Sequence, residues 1–132
     1  MPETKLRGPL SPTAVHLCVD MQNMFAPGGL WATPWMERVA PIVIALAERF
    51  AERTVFSRFI TPEQPEDMPG TWRRYYCKWR EATRTQIDPG MLELLPGLKR
   101  LVPPATVINK TRYSAFAGSR LSDHLAQMVP IR

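Results

Sequence analysis

Two charged residues in this 132-residue chain stand directly after short apolar runs, where a folded protein can put them to use. Asp20 follows Ala14-Val15-His16-Leu17-Cys18-Val19, and Lys110 follows Thr106-Val107-Ile108-Asn109. A carboxylate can take a proton from a nucleophile, and an ammonium can hold negative charge that develops beside it. The chain has two thiols, Cys18 and Cys77, and two imidazoles, His16 and His124. A thiol attacks well only after losing its proton. Cys18 lies within an apolar run and is expected in the core, and Cys77 is expected to be structural on a surface helix. The cysteines match no CxxC or zinc spacing and the histidines are distant, so no metal site is expected.

The elements that position these residues follow from hydropathy and punctuation. Residues 1–12 carry Pro2, Gly8, Pro9 and Pro12 and are expected to form a flexible leader, with a domain over 13–132. The runs at 14–19, 54–59 and 106–109 are short and apolar or β-branched, as strands buried on both faces are. Val39, Val43, Leu46 and Phe50 recur at helical spacing over 35–50, with Pro41 marking a first turn or a kink. Helices are also expected over 72–84, over 91–101 with an interruption at Pro96-Gly97, and after Gly118 through Leu121, Leu125 and Met128. The order βαβαβα predicts a three-layer, Rossmann-like α/β fold with a parallel sheet, right-handed crossovers and helices on both faces. The expected strand order is 3-2-1. In such sheets chemistry gathers at the carboxyl ends of the strands, where Asp20 and Lys110 both fall.

The residues around these two positions are more specific. Asp20-Met21-Gln22-Asn23-Met24-Phe25 has the form DxQxxF, and Lys110-Thr111-Arg112-Tyr113-Ser114-Ala115-Phe116 has the form KxxYSAF. The pair, in this order and each after a buried strand, resembles the isochorismatase-like cysteine hydrolases over roughly residues 13–125. The resemblance implies a hydrolase acting on a small amide-type (C–N) substrate, with Asp20 and Lys110 as catalytic residues and Phe25 in the substrate pocket. It implies no organic cofactor, and it implies a homo-oligomer. The family's nucleophilic cysteine follows a fourth strand. Neither Cys18 nor Cys77 matches that place, so the chain is expected to represent the N-terminal three βα units and to be inactive alone. Nicotinamidase-like members bind a metal through an Asp and histidines after strand two. Here that stretch reads Ser57-Arg58-Phe59-Ile60-Thr61-Pro62, which reinforces the expectation of no metal. With its fourth neighbour missing, the first strand would be an edge open to pairing with another chain.

Composition bounds the remaining classes. The net charge is +5, with 17 Lys and Arg against 12 Asp and Glu. No long basic block is present, so the arginines read as a solvated surface. No signal peptide and no run of about 18 apolar residues is visible, so a cytoplasmic protein with no membrane partner is expected. The competing reading is a non-catalytic binding or oligomerisation module built on helix 72–84. There Trp72, Tyr75, Tyr76 and Trp79 share one face and Arg73, Arg80 and Arg84 another, a mixture able to stack on nucleic-acid bases. The plainer reading, an aromatic stripe turned inward, is preferred, and no nucleic-acid partner is expected.

Overall fold

A computed structural model describes residues 8–128. Residues 8–12 are exposed and lack regular structure. The rest of the expected leader, residues 1–7, lies outside the described residues, as do residues 129–132. Three strands form one parallel sheet in the order β1-β2-β3: β1 (His16–Val19), β2 (Thr54–Phe59) and β3 (Thr106–Lys110). This is the expected order 3-2-1. β1 is shorter than the run 14–19 suggested, because Ala14 turns back to bond Ser11 and its carbonyl is taken by Arg53.

Register explains the layers. Cys18, Phe56 and Val107 align across the three strands. They pack under α1 (Met36–Arg49) and α3 (Pro96–Lys99), with Met36, Ala47, Leu94, Leu95 and Leu98. Leu17, Val55 and Ile108 point the other way and meet Ala115 and Leu121, the latter opening α4 (Leu121–Met128). Successive side chains alternate across a strand, so one sheet feeds two cores. The fold is therefore three-layered α/β with helices on both faces.

Local chemistry shifts several boundaries. Pro96 begins α3 rather than interrupting it, since a proline at the first helical position loses no bond that the helix would have made. Pro41 lies inside α1, beyond its first turn, on an exposed position, so the missing N–H falls on the solvent side. The aromatic helix is shorter than expected: α2 spans Gly70–Lys78 and continues only as a 3-10 turn at Arg80–Ala82. Met68, Glu66 and Arg80 tie it to the proline-rich loop before it. Arg73 donates to the carbonyls of Met68 and Glu66, and Arg80 pairs with the Glu66 carboxylate at 3.4 Å.

Gln22, within the DxQxxF motif, locks β1's exit to its surroundings. Its buried side-chain amide donates to the carbonyls of Phe59 at 2.9 Å and Leu92 at 2.7 Å, and its oxygen accepts from Phe59 N at 2.8 Å. One side chain thus fixes the end of β2 and the 89–95 segment against the loop that carries Asp20.

Candidate active site

The site lies at the carboxyl ends of the three strands. Asp20 immediately follows β1 and has φ of 58°, a left-handed conformation that aspartate tolerates better than most residues. Its backbone N–H is held by the carbonyl of Ser57 in β2. Strand alternation therefore stops at Val19. Cys18 packs into the α1–α3 core, as its apolar run led one to expect.

Lys110 ends β3 and is the most deeply enclosed cation in the site. Its Nζ lies 3.0 Å from Asp20 Oδ1, with side-chain exposures of 1% for Lys110 and 37% for Asp20. Nζ also donates to the Tyr113 carbonyl at 2.7 Å, which turns the KxxY segment back over the ammonium. Asp20 Oδ1 is itself buried and receives no aligned hydrogen bond. The pair is thus held by charge at short range, and the carboxylate oxygen keeps a lone pair free for another donor.

Around this pair is a cavity of about 550 Å³. Phe25, Trp31 and Thr33 come from the loop after β1, Phe59 from the end of β2, and Trp72, Tyr75 and Tyr76 from α2. Residues 111–114 close the far side. The rings brace one another: Trp31 stands edge-on to Trp79 at 6.0 Å, and Trp72 edge-on to Tyr113 at 5.3 Å. Such pairs fix ring orientation, so the wall is preformed. Tyr76 is almost wholly buried, yet its hydroxyl has no hydrogen-bond partner among the described residues. Burial, reinforced by Tyr75 and Tyr113, pushes that hydroxyl up to about 12. At neutral pH it stays protonated, on a residue that lines the cavity.

The three residues singled out in the sequence, Asp20, Lys110 and Phe25, are brought into this one cavity. Sequence reasoning missed its wall. Trp72, Tyr75 and Tyr76 were assigned to a stripe buried in the core, whereas only Tyr76 is buried and all three line the cavity. The signal was present in their shared helical face, but nothing in the sequence said what that face met. Neither cysteine lines the cavity. Cys18 is buried, and desolvation pushes its thiol up to about 12, while Cys77 is exposed on α2.

A model of the isochorismatase domain matches residues 14–128. The chain belongs to the isochorismatase-like hydrolase family. Solved structures share the fold. One is a cysteine hydrolase from Pseudomonas syringae pv. phaseolicola, 22% identical, covering 97% of this chain and 61% of its own, with a TM-score of 0.70. Another is the N-carbamoylsarcosine amidase of Thermoplasma acidophilum, 21% identical, covering 86% of this chain and 61% of its own, with a TM-score of 0.63. A third is the pyrazinamidase of Pyrococcus horikoshii in complex with zinc, 22% identical, covering 88% of this chain and 65% of its own, with a TM-score of 0.56. The isochorismatase-like chain described here thus spans less than two thirds of the length of these structures. No curated protein sequence matches it.

Zinc does not fit this family member's residues. The stretch after β2 offers Thr61 and Glu63 but no histidine, and among the described residues no three His, Cys, Asp or Glu side chains gather at one point. No helix among them is long and apolar enough to cross a membrane.

Proposed function

We propose that the Asp20–Lys110 site belongs to a cysteine-hydrolase-type reaction on a small amide-type (C–N) substrate seated in the aromatic cavity. One observation carries this reading: a sequestered ammonium 3.0 Å from a carboxylate, both on the wall of a cavity able to hold a small molecule. In this reading Asp20 accepts the proton of an attacking thiol. The thiolate sulfur bonds to the carbonyl carbon, and charge moves to the carbonyl oxygen. The C–N bond then breaks, and the amine leaves with the proton that Asp20 had taken. Water, giving its proton to Asp20, then attacks the thioester carbon, the C–S bond breaks, and the proton returns to the sulfur as the acid departs. Lys110 lowers the energy of the negative charges at both stages.

The residues of this chain supply the acid–base group, the cation and the binding wall. They supply no thiol at the cavity, so the 132-residue chain binds substrate-like amides without turning them over. Free Cys18 and Cys77 suit a reducing, cytoplasmic setting. The competing nucleic-acid reading is weaker, because α2 turns its aromatic face into the cavity rather than outward.

The test uses a panel of small carboxamides and ureides, followed by the fluorescence of Trp31 and Trp72 and by amine release. Saturable quenching, weakened by Lys110→Met and unaccompanied by amine release, supports the reading. Amine release abolished by Cys18→Ala or Cys77→Ala would show the nucleophile to be misplaced. Absence of binding across the panel would remove the substrate assignment.

A further inference from the structure

The cavity has two polar ends with rings between them. At the enclosed end Lys110 pairs with Asp20 at 3.0 Å. At the open end stand Thr111, Arg112 and Ser114, all exposed and all part of the lining. The Ser114 hydroxyl oxygen accepts from Phe116 N at 3.1 Å, which leaves its own proton free to donate. Arg112 has no ion-pair or hydrogen-bond partner among the described residues. Its guanidinium is therefore available, and the chain that carries it is fixed on both sides. Ile60 N donates to the Lys110 carbonyl at 2.8 Å, Lys110 Nζ holds the Tyr113 carbonyl, and Trp72 stands edge-on to the Tyr113 ring. With the backbone pinned, only the side chain has to settle when an anion arrives, which lowers the cost of binding.

Charge says what that anion is. Among the described residues the charged groups lining the cavity are Asp20, Lys110 and Arg112. The first two offset each other, so the lining carries one uncompensated positive charge. Nearby acids do not cancel it. Glu66 is engaged by Arg80 at 3.4 Å, Asp67 accepts from Gln64 at 3.5 Å, and neither lines the cavity. A carboxylate brings the single charge that balances the lining, and its two oxygens match the guanidinium fork. A phosphate ester brings nearly two charges at neutral pH and finds no second free cation there. A cationic ligand, which the rings alone would attract, is repelled by Arg112.

We propose that the ligand of this cavity is an amide acid: a carboxamide directed toward Lys110, a flat apolar body against the rings, and a carboxylate held by Arg112 at the open end. Arg112 is then a specificity-determining residue, remote from the reacting carbon. A planar body suits a wall whose rings are fixed by one another, since stacking on it requires no rearrangement. The inference rests on the reading of Asp20 and Lys110 as an amide site and adds what the far end of the substrate carries.

Titration calorimetry of the full chain tests this with benzamide, para-carbamoylbenzoate, the methyl ester of that acid, and para-trimethylammonio-benzamide. At low salt the acid should bind about five- to tenfold more tightly than its ester, and the gain should shrink as salt is raised. Arg112→Met should bring acid and ester to equal affinity, and Arg112→Lys should keep a salt-dependent gain of about two- to threefold. Far-UV circular dichroism should show both variants folded, since the side chain is exposed. Equal affinity of acid and ester in the parent chain overturns the proposal. If benzamide still binds and Lys110→Met weakens it, the amide site itself stands. Absence of binding by all four ligands overturns both readings together. A gain that survives Arg112→Met places the carboxylate elsewhere and overturns the role of Arg112. Tighter binding of the trimethylammonium ligand than of the acid would show that the rings, not Arg112, select the charge.

Discussion

Lys110 and Asp20 share one ion pair but not one environment. The ammonium is sealed from solvent, and the carboxylate 3.0 Å away remains in contact with water. The two halves therefore respond unequally to removal. Asp20→Ala leaves a buried, uncompensated cation whose remaining partner is the Tyr113 carbonyl. The expected loss is about 2–4 kcal/mol, below that of a fully sealed pair because water reaches the vacated position. Lys110→Met fills the same space with an apolar chain and leaves a carboxylate that water can solvate. Its stability should lie within about 1 kcal/mol of the parent. Urea unfolding measures both, and equal losses would show that the ammonium is not sealed in solution.

The aromatic wall gives a prediction about binding without stability. Tyr76→Phe removes only the hydroxyl of a residue that lines the cavity, one with no hydrogen bond to another described residue. The fold should be unaffected, since no internal hydrogen bond is lost. Affinity for a carboxamide that accepts this donor should fall about three- to tenfold, the range of one hydrogen bond. Titration by tryptophan fluorescence reads the change. Equal affinity in Tyr76→Phe would show that ligands do not reach the hydroxyl.

Gln22 has the opposite character, structural rather than chemical. Its three hydrogen bonds reach Phe59 and Leu92, and the residue is fully buried. Gln22→Ala strands the Leu92 carbonyl in the interior and the partly buried carbonyl and N–H of Phe59 beside it. Unsatisfied buried groups cost about 1–3 kcal/mol each, so a loss of about 3–5 kcal/mol is expected. Thermal melting checks it, and a melting temperature unchanged by Gln22→Ala would mean that water replaces the amide.

These residues show which features the sequence made legible. Strand ends follow from apolar runs closed by a polar residue, so Asp20 and Lys110 were placeable, and parallel pairing brought their ends together. The motif forms drew attention to Phe25, whose ring stacks on Trp31. What failed was local. The left-handed turn at Asp20 ends strand alternation, and no residue pattern announces it for an aspartate. Pro96 looked like an interruption because a proline breaks a helix it interrupts but favours one it begins. The face of α2 was legible as a face, yet whether it met core or cavity depended on Trp31 and Tyr113, which are 41 residues to either side of Trp72. Contacts at that separation are invisible to periodicity.

The last prediction concerns alkaline pH. Burial pushes the Cys18 thiol up to about 12, from an ordinary value near 9.0, and Tyr76 up to about 12, from 10.0. Both groups are neutral when protonated, and the folded state favours that form. Their contribution to stability is fully present below the unfolded values. It is lost as pH rises toward the folded values, because the unfolded chain releases the protons first. Unfolding free energy should therefore fall between about pH 9 and pH 12, each group adding at most about 1.4 kcal/mol per pH unit. Cys18→Ala should flatten the lower part of that decline, where the thiol alone titrates in the unfolded chain. The same burial predicts unequal reactivity at pH 8. An alkylating reagent should modify exposed Cys77 and spare Cys18 until denaturant is added. Mass spectrometry of the labelled peptides distinguishes the two thiols. Rapid labelling of Cys18 in the native protein would show that the α1–α3 core opens to solvent, and the alkaline slope assigned to this residue would then vanish with it.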